Sequence, residues 1–302
     1  MALALSCFSV DAIVTETPVV APKSAIKVYP TIKESWGFLG WYLLALIITG
    51  IPLYAVAKGV FALSESVSGI LITVGSNLVL LAFLRWKVGS RGQSLQLTGL
   101  RQMWLLAVLP LLVFAFGMVL TLSSFLHLPD WTHGAFEKLV QKPWITLPIG
   151  VVVVPVLEEL IFRGVLLQGL LRNYRPWIAI GQSSFLFGLV HFNPAQSLNA
   201  CLIGMLLGWL YYRTRSLSVG IAVHALNNLL AFAAIIWLPN VKEAEDVVDF
   251  LGGPWLYGGV VLLSAAVLAI ILRQVYKATD LRTETSSTEV FEVPAADLHS
   301  SK

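Results

Sequence analysis

Two adjacent glutamates and one arginine interrupt an apolar stretch in the middle of the chain, residues 151–171, with the sequence VVVVPVLEELIFRGVLLQGLL. A run of this length and polarity is typical of a membrane-spanning helix. A charged side chain at the centre of such a helix costs about 2.5–3.5 kcal/mol on insertion scales, so ionisable groups there pair with one another or face a polar cavity. Glu158, Glu159 and Arg163 are therefore candidates for a functional site.

Two other apolar segments carry the only histidines of this region, His191 and His224, and Asn228 follows His224 by about one helical turn. Counted at about 1.5 Å per residue from the basic end of each helix, Glu158, His191 and Asn228 lie about 20–24 Å deep, and His224 lies about 14 Å deep. These depths are compatible with one polar cavity shared by the four side chains.

The spacing within the helices assigns different tasks to the two glutamates. Glu159 and Arg163 are four residues apart, so they share one helix face and can neutralise each other as an ion pair. Glu158 points about 100° away, so it is free to face the cavity and to act as a general base on water. Phe187, one turn before His191, is predicted to pack and to shape the pocket.

Two chemistries fit these residue types. Glu158, His191 and His224 make a plausible zinc set, with water as the fourth ligand. Without a metal, Glu158 and one histidine would activate water, while the other histidine and Asn228 would hold the oxyanion of a tetrahedral intermediate. The sequence leaves both chemistries open.

The composition indicates that these helices lie in a membrane. Apolar residues make up 57% of the 302-residue chain and charged residues 12%, with a mean hydropathy of +0.80, whereas soluble domains carry about 25% charged residues. We therefore predict an all-α polytopic membrane protein, with about eight transmembrane helices around a buried polar cavity, in contact with the lipid bilayer. The small net charge of +3 does not suggest a nucleic-acid partner.

The charge of the loops predicts the orientation of the chain. Basic residues recur after every second predicted span, and an acidic loop, 242–249, falls on the other side. By the positive-inside rule, this pattern places both termini in the cytoplasm. The predicted spans are 36–57, 68–84, 103–126, 144–171, 177–192, 198–212, 217–238 and 255–272.

Composition also divides the chain into segments. The two cysteines, Cys7 and Cys201, form no metal-binding pattern, and Cys201 is predicted to be a packing residue. The tail is rich in Ser, Thr and Glu, which predicts disorder. The segments are a polar arm (1–35), the first three transmembrane helices (36–142), a catalytic core (143–240), the acidic loop with the last helix (241–277) and the polar tail (278–302).

Three motifs in this order resemble the EExxxR, FxxxH and HxxxN motifs of the CPBP family, which includes the type II CAAX prenyl endopeptidases and the bacterial Abi and bacteriocin-immunity proteins. They are Glu158-Glu159-x-x-x-Arg163, Phe187-x-x-x-His191 and His224-x-x-x-Asn228. The resemblance implies an intramembrane endopeptidase, of metallo or glutamate type, in which Glu158 is the base and His191, His224 and Asn228 complete the site. The implied partner is a membrane-associated protein or peptide, which in the CAAX endopeptidases is prenylated and cleaved near its C-terminus.

Two other classes of function also explain buried charges. In a proton- or cation-coupled transporter, Glu158 and the histidines would relay protons or bind a cation. Many transporters carry an internal repeat, and none is visible between the two halves of this chain. An Abi-type immunity protein would keep the fold without catalysis. The complete set of three motifs favours hydrolysis of a peptide bond.

Overall fold

A computed structural model describes residues 28–90, 104–131, 134–241 and 244–279, and within these ranges the chain forms helices joined by short connections, with no strand. The predicted all-α fold class is confirmed. Residues 280–302 of the tail, most of the polar arm and the basic residues Arg91 and Arg101 lie outside the described residues. The helices are α1 Ile32–Gly59, α2 Glu65–Gly89, α3 Trp104–Leu120, α4 Ala135–Val140, α5 Pro143–Asn173, α6 Pro176–Leu189, α7 Pro194–Thr214, α8 Leu217–Trp237, α9 Ala244–Phe250 and α10 Pro254–Ala278.

Six helices in the described part of the chain are long and apolar enough to cross a membrane: α1, α2, α3 with a 3-10 turn that extends it to Leu126, α5, α8 and α10. A polytopic membrane protein is therefore confirmed, but the count of eight spans is not. The predicted fifth span is α6, which has 14 residues and is about 21 Å long against a hydrocarbon core of about 30 Å. The predicted sixth span is α7, where polar residues such as Gln196 and Asn199 lower the hydropathy.

The helix that carries both glutamates, α5, is wound unevenly along its length. Ile149–Val153 and Leu160–Leu167 form π-helical turns, and Val154–Glu159 between them is α-helical. Pro155 has no N–H to donate, so it leaves a backbone carbonyl of the first wide turn without its usual helical partner. π-helical turns are rare and often occur at functional sites. Glu158 and Glu159 therefore lie between two wide turns.

Small residues let α6 and α7 pack closely against each other. A Cβ atom at Gly188 of α6 would lie 2.6 Å from the carbonyl oxygen of Ser197, and one at Gly204 of α7 would lie 3.2 Å from the ring of Phe187. Such close approach of backbones is common between membrane helices. It brings Phe187 and the backbone of Gly204 against the polar face of α5.

The chain before α1 is attached to the C-terminal end of α5. Nδ2 of Asn173 donates to the backbone oxygens of Val28 and Pro30, and Oδ1 of Asn173 accepts from the N–H of Val28 at 3.2 Å. Thr31 then caps α1 in a reciprocal pair with Glu34, which satisfies two backbone donors at the start of the helix. The first turn of α1 is thus fixed beside the last turn of α5.

Candidate active site

Glu159 and Arg163 form the predicted ion pair in the interior of the bundle. Oε1 of Glu159 lies 2.7 Å from Nη1 of Arg163, and the two side chains are 0% and 1% exposed. Nη2 of Arg163 donates to the carbonyl oxygen of Gly204 at 3.1 Å, and its guanidinium carbon lies 4.8 Å from the ring centre of Phe187. These partners offset part of the cost of removing both charges from water, while Oε2 of Glu159 and Nε of Arg163 have no hydrogen-bond partner among the described residues.

His224 of α8 connects the two glutamates of α5. Its Nδ1 lies 3.0 Å from Oε1 of Glu159, and its Nε2 lies 3.6 Å from Oε2 of Glu158. Because an ionised carboxylate oxygen only accepts hydrogen bonds, Nδ1 donates in the bond to Glu159. Helical spacing pairs Glu159 with Arg163 alone. The contact with His224 joins positions 65 residues apart, so no local pattern predicts it.

His191 is oriented by the backbone of its own helix. Its Nδ1 donates to the carbonyl oxygen of Phe187 at 2.7 Å, because a carbonyl only accepts, and Nε2 is the nitrogen left for a ligand. The ring centre of Phe187 lies 5.1 Å from that of His191 and 5.7 Å from that of His224, in edge-on contacts. Phe187 therefore sets the separation of the two imidazoles, in line with its predicted packing role.

Asn228 reaches the first wide turn of α5. Its Nδ2 donates to the carbonyl oxygen of Gly150 at 2.9 Å. An amide nitrogen carries two hydrogens, so this bond uses one of them and the other can serve a ligand. The bond also ties α8 to α5 on the same side of the bundle as His224.

Four of the predicted residues line one cavity of about 890 Å³: Glu158, His191, His224 and Asn228. The ring of Phe187 also contributes to the wall, whereas Glu159 and Arg163 lie behind it. The side chain of Glu158 keeps 13% exposure. The structure thus contains one cavity-facing glutamate and one buried glutamate, as helix geometry predicts for neighbouring residues.

Tyr42 of α1 and Thr73 of α2 also line the cavity, and the motifs do not include them. The ring of Tyr42 packs against Phe192, with 6.3 Å between ring centres. Both residues lie on helices before the three motifs, so a motif match does not point to them. A polar group inside an apolar span is the signal that identifies Glu158, and the same signal is present at both positions.

The predicted zinc set does not come together in the described residues. Within them, no three side chains of His, Cys, Asp or Glu type gather at a spacing that could hold a metal ion. Glu158, His191 and His224 therefore do not fit a three-ligand zinc site in this arrangement.

The helices and these side chains define a polytopic membrane protein with a glutamate and histidine site inside its bundle. Residues 140–230 match the model of the family described as Type II CAAX prenyl endopeptidase Rce1-like. This segment contains all three motifs, so the match confirms the resemblance that the motifs indicate.

One curated relative is a protein of Bacillus subtilis (strain 168) described as "Putative membrane peptidase YdiL". It is 29% identical over 109 residues, which are 36% of this chain and 44% of that protein. The similarity thus spans less than half of the relative's length. No solved structure matches the chain significantly.

Proposed function

We propose that this protein is an intramembrane endopeptidase that hydrolyses a peptide bond in a membrane-associated protein or peptide, with Glu158 activating the water. The proposal rests on the different environments of the two neighbouring glutamates. Glu158 faces a cavity large enough for a ligand, while Glu159 is buried and neutralised by Arg163. A carboxylate that faces a cavity beside an imidazole, and is not neutralised by an arginine, is available to accept a proton.

In the proposed reaction, Glu158 accepts a proton from water as the water oxygen attacks the carbonyl carbon of the scissile bond. The C–N bond then breaks, and the same proton passes from Glu158 to the leaving amine nitrogen. The products are a carboxylic acid and an amine, so hydrolysis needs no further reactant.

The neighbouring side chains divide the remaining tasks. Nε2 of His191 accepts the second hydrogen of the water and holds the water beside Glu158, since Nδ1 of His191 is occupied by the Phe187 carbonyl. His224 and the second amide hydrogen of Asn228 stabilise the oxyanion. The carboxylate of Glu159 accepts a hydrogen bond from His224 and so fixes the orientation of its ring. Glu159 and Arg163 are positioning residues in this scheme.

The substrate class follows from the family description and remains part of the proposal. A lipidated C-terminus is the substrate of the prenyl endopeptidases, so cleavage near the C-terminus of a prenylated or unprenylated membrane-associated protein is proposed here. The cavity volume of about 890 Å³ is within the range of about 300–1,000 Å³ typical of ligand pockets. It suits a short peptide segment.

The test is cleavage of a panel of prenylated and unprenylated peptides by the purified full-length protein in detergent. Wild type is compared with Glu158→Gln and His191→Ala, and Glu245→Gln is the matched control because Glu245 is exposed and lies outside the cavity wall. We expect a loss of at least about 100-fold in kcat for Glu158→Gln and none for Glu245→Gln.

Equal cleavage by wild type and Glu158→Gln would overturn the assigned role of Glu158. If wild type cleaves no peptide in the panel, proton uptake by proteoliposomes is the next measurement. Uptake that depends on Glu158 would then favour the transporter over the peptidase.

A further inference from the structure

The position of Glu158 along its helix does not decide the side of the membrane from which substrate arrives. Glu158 lies halfway between Pro143 and Asn173, the ends of α5, which is about 22 Å from each end at 1.5 Å per residue. Glu158 would be equally far from an opening at either face. The shape of the cavity therefore has to show the side from which substrate arrives.

The cavity wall is built from the ends of helices at one face of the bundle. Glu65 at the start of α2 and Lys138 of α4 are exposed residues in this wall. Asp130 in the connection before α4 and Gln196 at the start of α7 also line it. Exposed charged side chains in the wall mean that the cavity opens to water at this face.

The opposite end of the cavity is closed by packed side chains. Phe162 and Phe187 are each 1% exposed, and their rings are in edge-on contact with 4.8 Å between centres. The Glu159–Arg163 pair fills the space beside them and is also buried. Water and substrate therefore have no path through this layer in the described part of the chain.

The two faces differ in charge, because the open face carries acidic residues together with Lys138 whereas basic residues predominate at the closed face. The exposed basic residues at the end of α5, Arg172 and Arg175, and Lys277 at the end of α10 lie at the closed face. Glu65 and Asp249 lie at the open face. Lys and Arg near the ends of membrane spans mark the cytoplasmic side, so the charge pattern assigns the closed face to the cytoplasm.

We infer that the cavity opens on the extracytoplasmic face, and that the substrate is an extended polypeptide segment of a membrane-associated protein that enters from there. The statement about the substrate rests on the proposed function. The side on which the cavity opens does not depend on that function. This orientation narrows the proposed substrate class to unprenylated segments, because a prenylated C-terminus anchored in the cytoplasmic leaflet does not reach the opening of the cavity.

The chemistry of the wall suits such a segment. Carboxamide groups of Asn193, Gln196, Asn199, Asn227 and Asn228 alternate there with apolar side chains. Carboxamides both donate and accept hydrogen bonds, as a peptide backbone requires. A segment that reaches about 22 Å down to Glu158 needs about seven residues in extended conformation, at about 3.3 Å per residue.

Cysteine labelling tests the side of the opening without any need for activity. In a Cys7→Ser, Cys201→Ala background of the full chain, a membrane-impermeant maleimide is added to intact spheroplasts of a bacterial host. Lys138→Cys reports the open face and Lys277→Cys the closed face, and both positions are exposed. We expect Lys138→Cys to react in intact spheroplasts and Lys277→Cys to react only after lysis.

A second pair of variants tests whether the cavity itself is reached from outside. Ala231 lines the cavity, whereas Ala234, which is equally exposed on the same helix, does not. Ala231→Cys is expected to react from outside about tenfold faster than Ala234→Cys, because the reactive thiolate forms in water and is suppressed in lipid.

Labelling of Lys277→Cys but not of Lys138→Cys in intact spheroplasts would overturn the orientation. Labelling of Lys138→Cys together with equally slow reaction at Ala231→Cys and Ala234→Cys would overturn the open mouth. Neither outcome bears on peptide hydrolysis, whereas failure of wild type to cleave any peptide leaves the labelling result intact. The two proposals therefore fail separately.

Discussion

The imidazole of His224 is held by the carboxylate of Glu159, with 3.0 Å between Nδ1 and Oε1. The same oxygen accepts a hydrogen bond from Arg163 at 2.7 Å. One buried oxygen atom thus connects a histidine of α8 to an arginine of α5. Because all three side chains are buried, removing one member leaves a charged or polar partner without compensation.

Substitution of the two glutamates is expected to have different effects. Glu158→Gln should lower kcat at least about 100-fold with little change in thermal stability, because Glu158 faces the cavity. Glu159→Gln should destabilise the protein by about 3–5 kcal/mol, because it leaves the buried charge of Arg163 unpaired. Thermal unfolding and kcat measured in the same detergent distinguish the two. Equal destabilisation by both substitutions would contradict this division.

A double-mutant cycle on the buried pair is expected to separate stability from activity. Arg163→Met alone leaves the Glu159 carboxylate unpaired and should destabilise the protein. The double variant Glu159→Gln, Arg163→Met removes both charges and should regain stability relative to either single variant. Its kcat should stay low, since His224 loses its charged partner. Recovery of kcat together with stability would show that Glu159 has no positioning role.

A side chain at Gly220 of α8 is expected to displace Glu159. A Cβ atom there would lie 2.8 Å from Oε2 of Glu159, so Gly220→Ala should push Glu159 away from His224 and lower kcat. The matched control is Gly181→Ala on α6, where a Cβ atom would meet nothing within 4 Å. That change should stabilise its helix by up to about 1 kcal/mol. Unchanged kcat in Gly220→Ala would contradict the positioning role of Glu159.

Chelators are expected to leave peptide cleavage unchanged, because the described residues offer no three-ligand metal site. The measurement is kcat before and after dialysis against a strong chelator, together with the metal content of the purified protein. Stoichiometric zinc that is lost together with activity would restore the zinc set predicted from the sequence. In that case Glu158, His191 and His224 would have to rearrange on binding.

Loosening the attachment between α1 and α5 is expected to reduce stability in steps. Tyr174→Phe removes the bond from the Ile32 N–H to the tyrosine hydroxyl and should cost about 1 kcal/mol. Asn173→Ala removes several bonds to Val28 and Pro30 and should cost on the order of 2–3 kcal/mol. Hydrogen exchange at residues 28–34 should rise in the same order. Equal exchange in both variants would argue against this attachment.

Local patterns in the sequence predict the elements that depend on neighbouring residues. The spacing of Glu159 and Arg163 predicts their ion pair, because residues four apart share a helix face. Long apolar runs predict α5 and α8. The division between a cavity-facing Glu158 and a buried Glu159 follows from the same rotation of about 100° per residue.

Contacts between distant segments were not predictable in this way. The bond from His224 to Glu159 and the bond from Asn228 to Gly150 join different helices, and helix packing sets both of them. Tyr42 enters the cavity wall from α1, which precedes all three motifs. The side on which the cavity opens was likewise not predictable. Counting residues along α5 puts Glu158 near the middle of the helix, at the same distance from both faces.

The π-helical turns of α5 allow the direction in which its side chains point around the helix axis to change. A π-helical turn takes up one residue more than an α-helical turn, so Leu160–Leu167 shifts Arg163 relative to the angle that a regular helix would give it. Insertions or deletions of one residue near such a turn can be absorbed by narrowing or widening it. A homologous chain could therefore differ in length here and still aim the same carboxylate into its cavity, and an alignment by residue count alone would miss it.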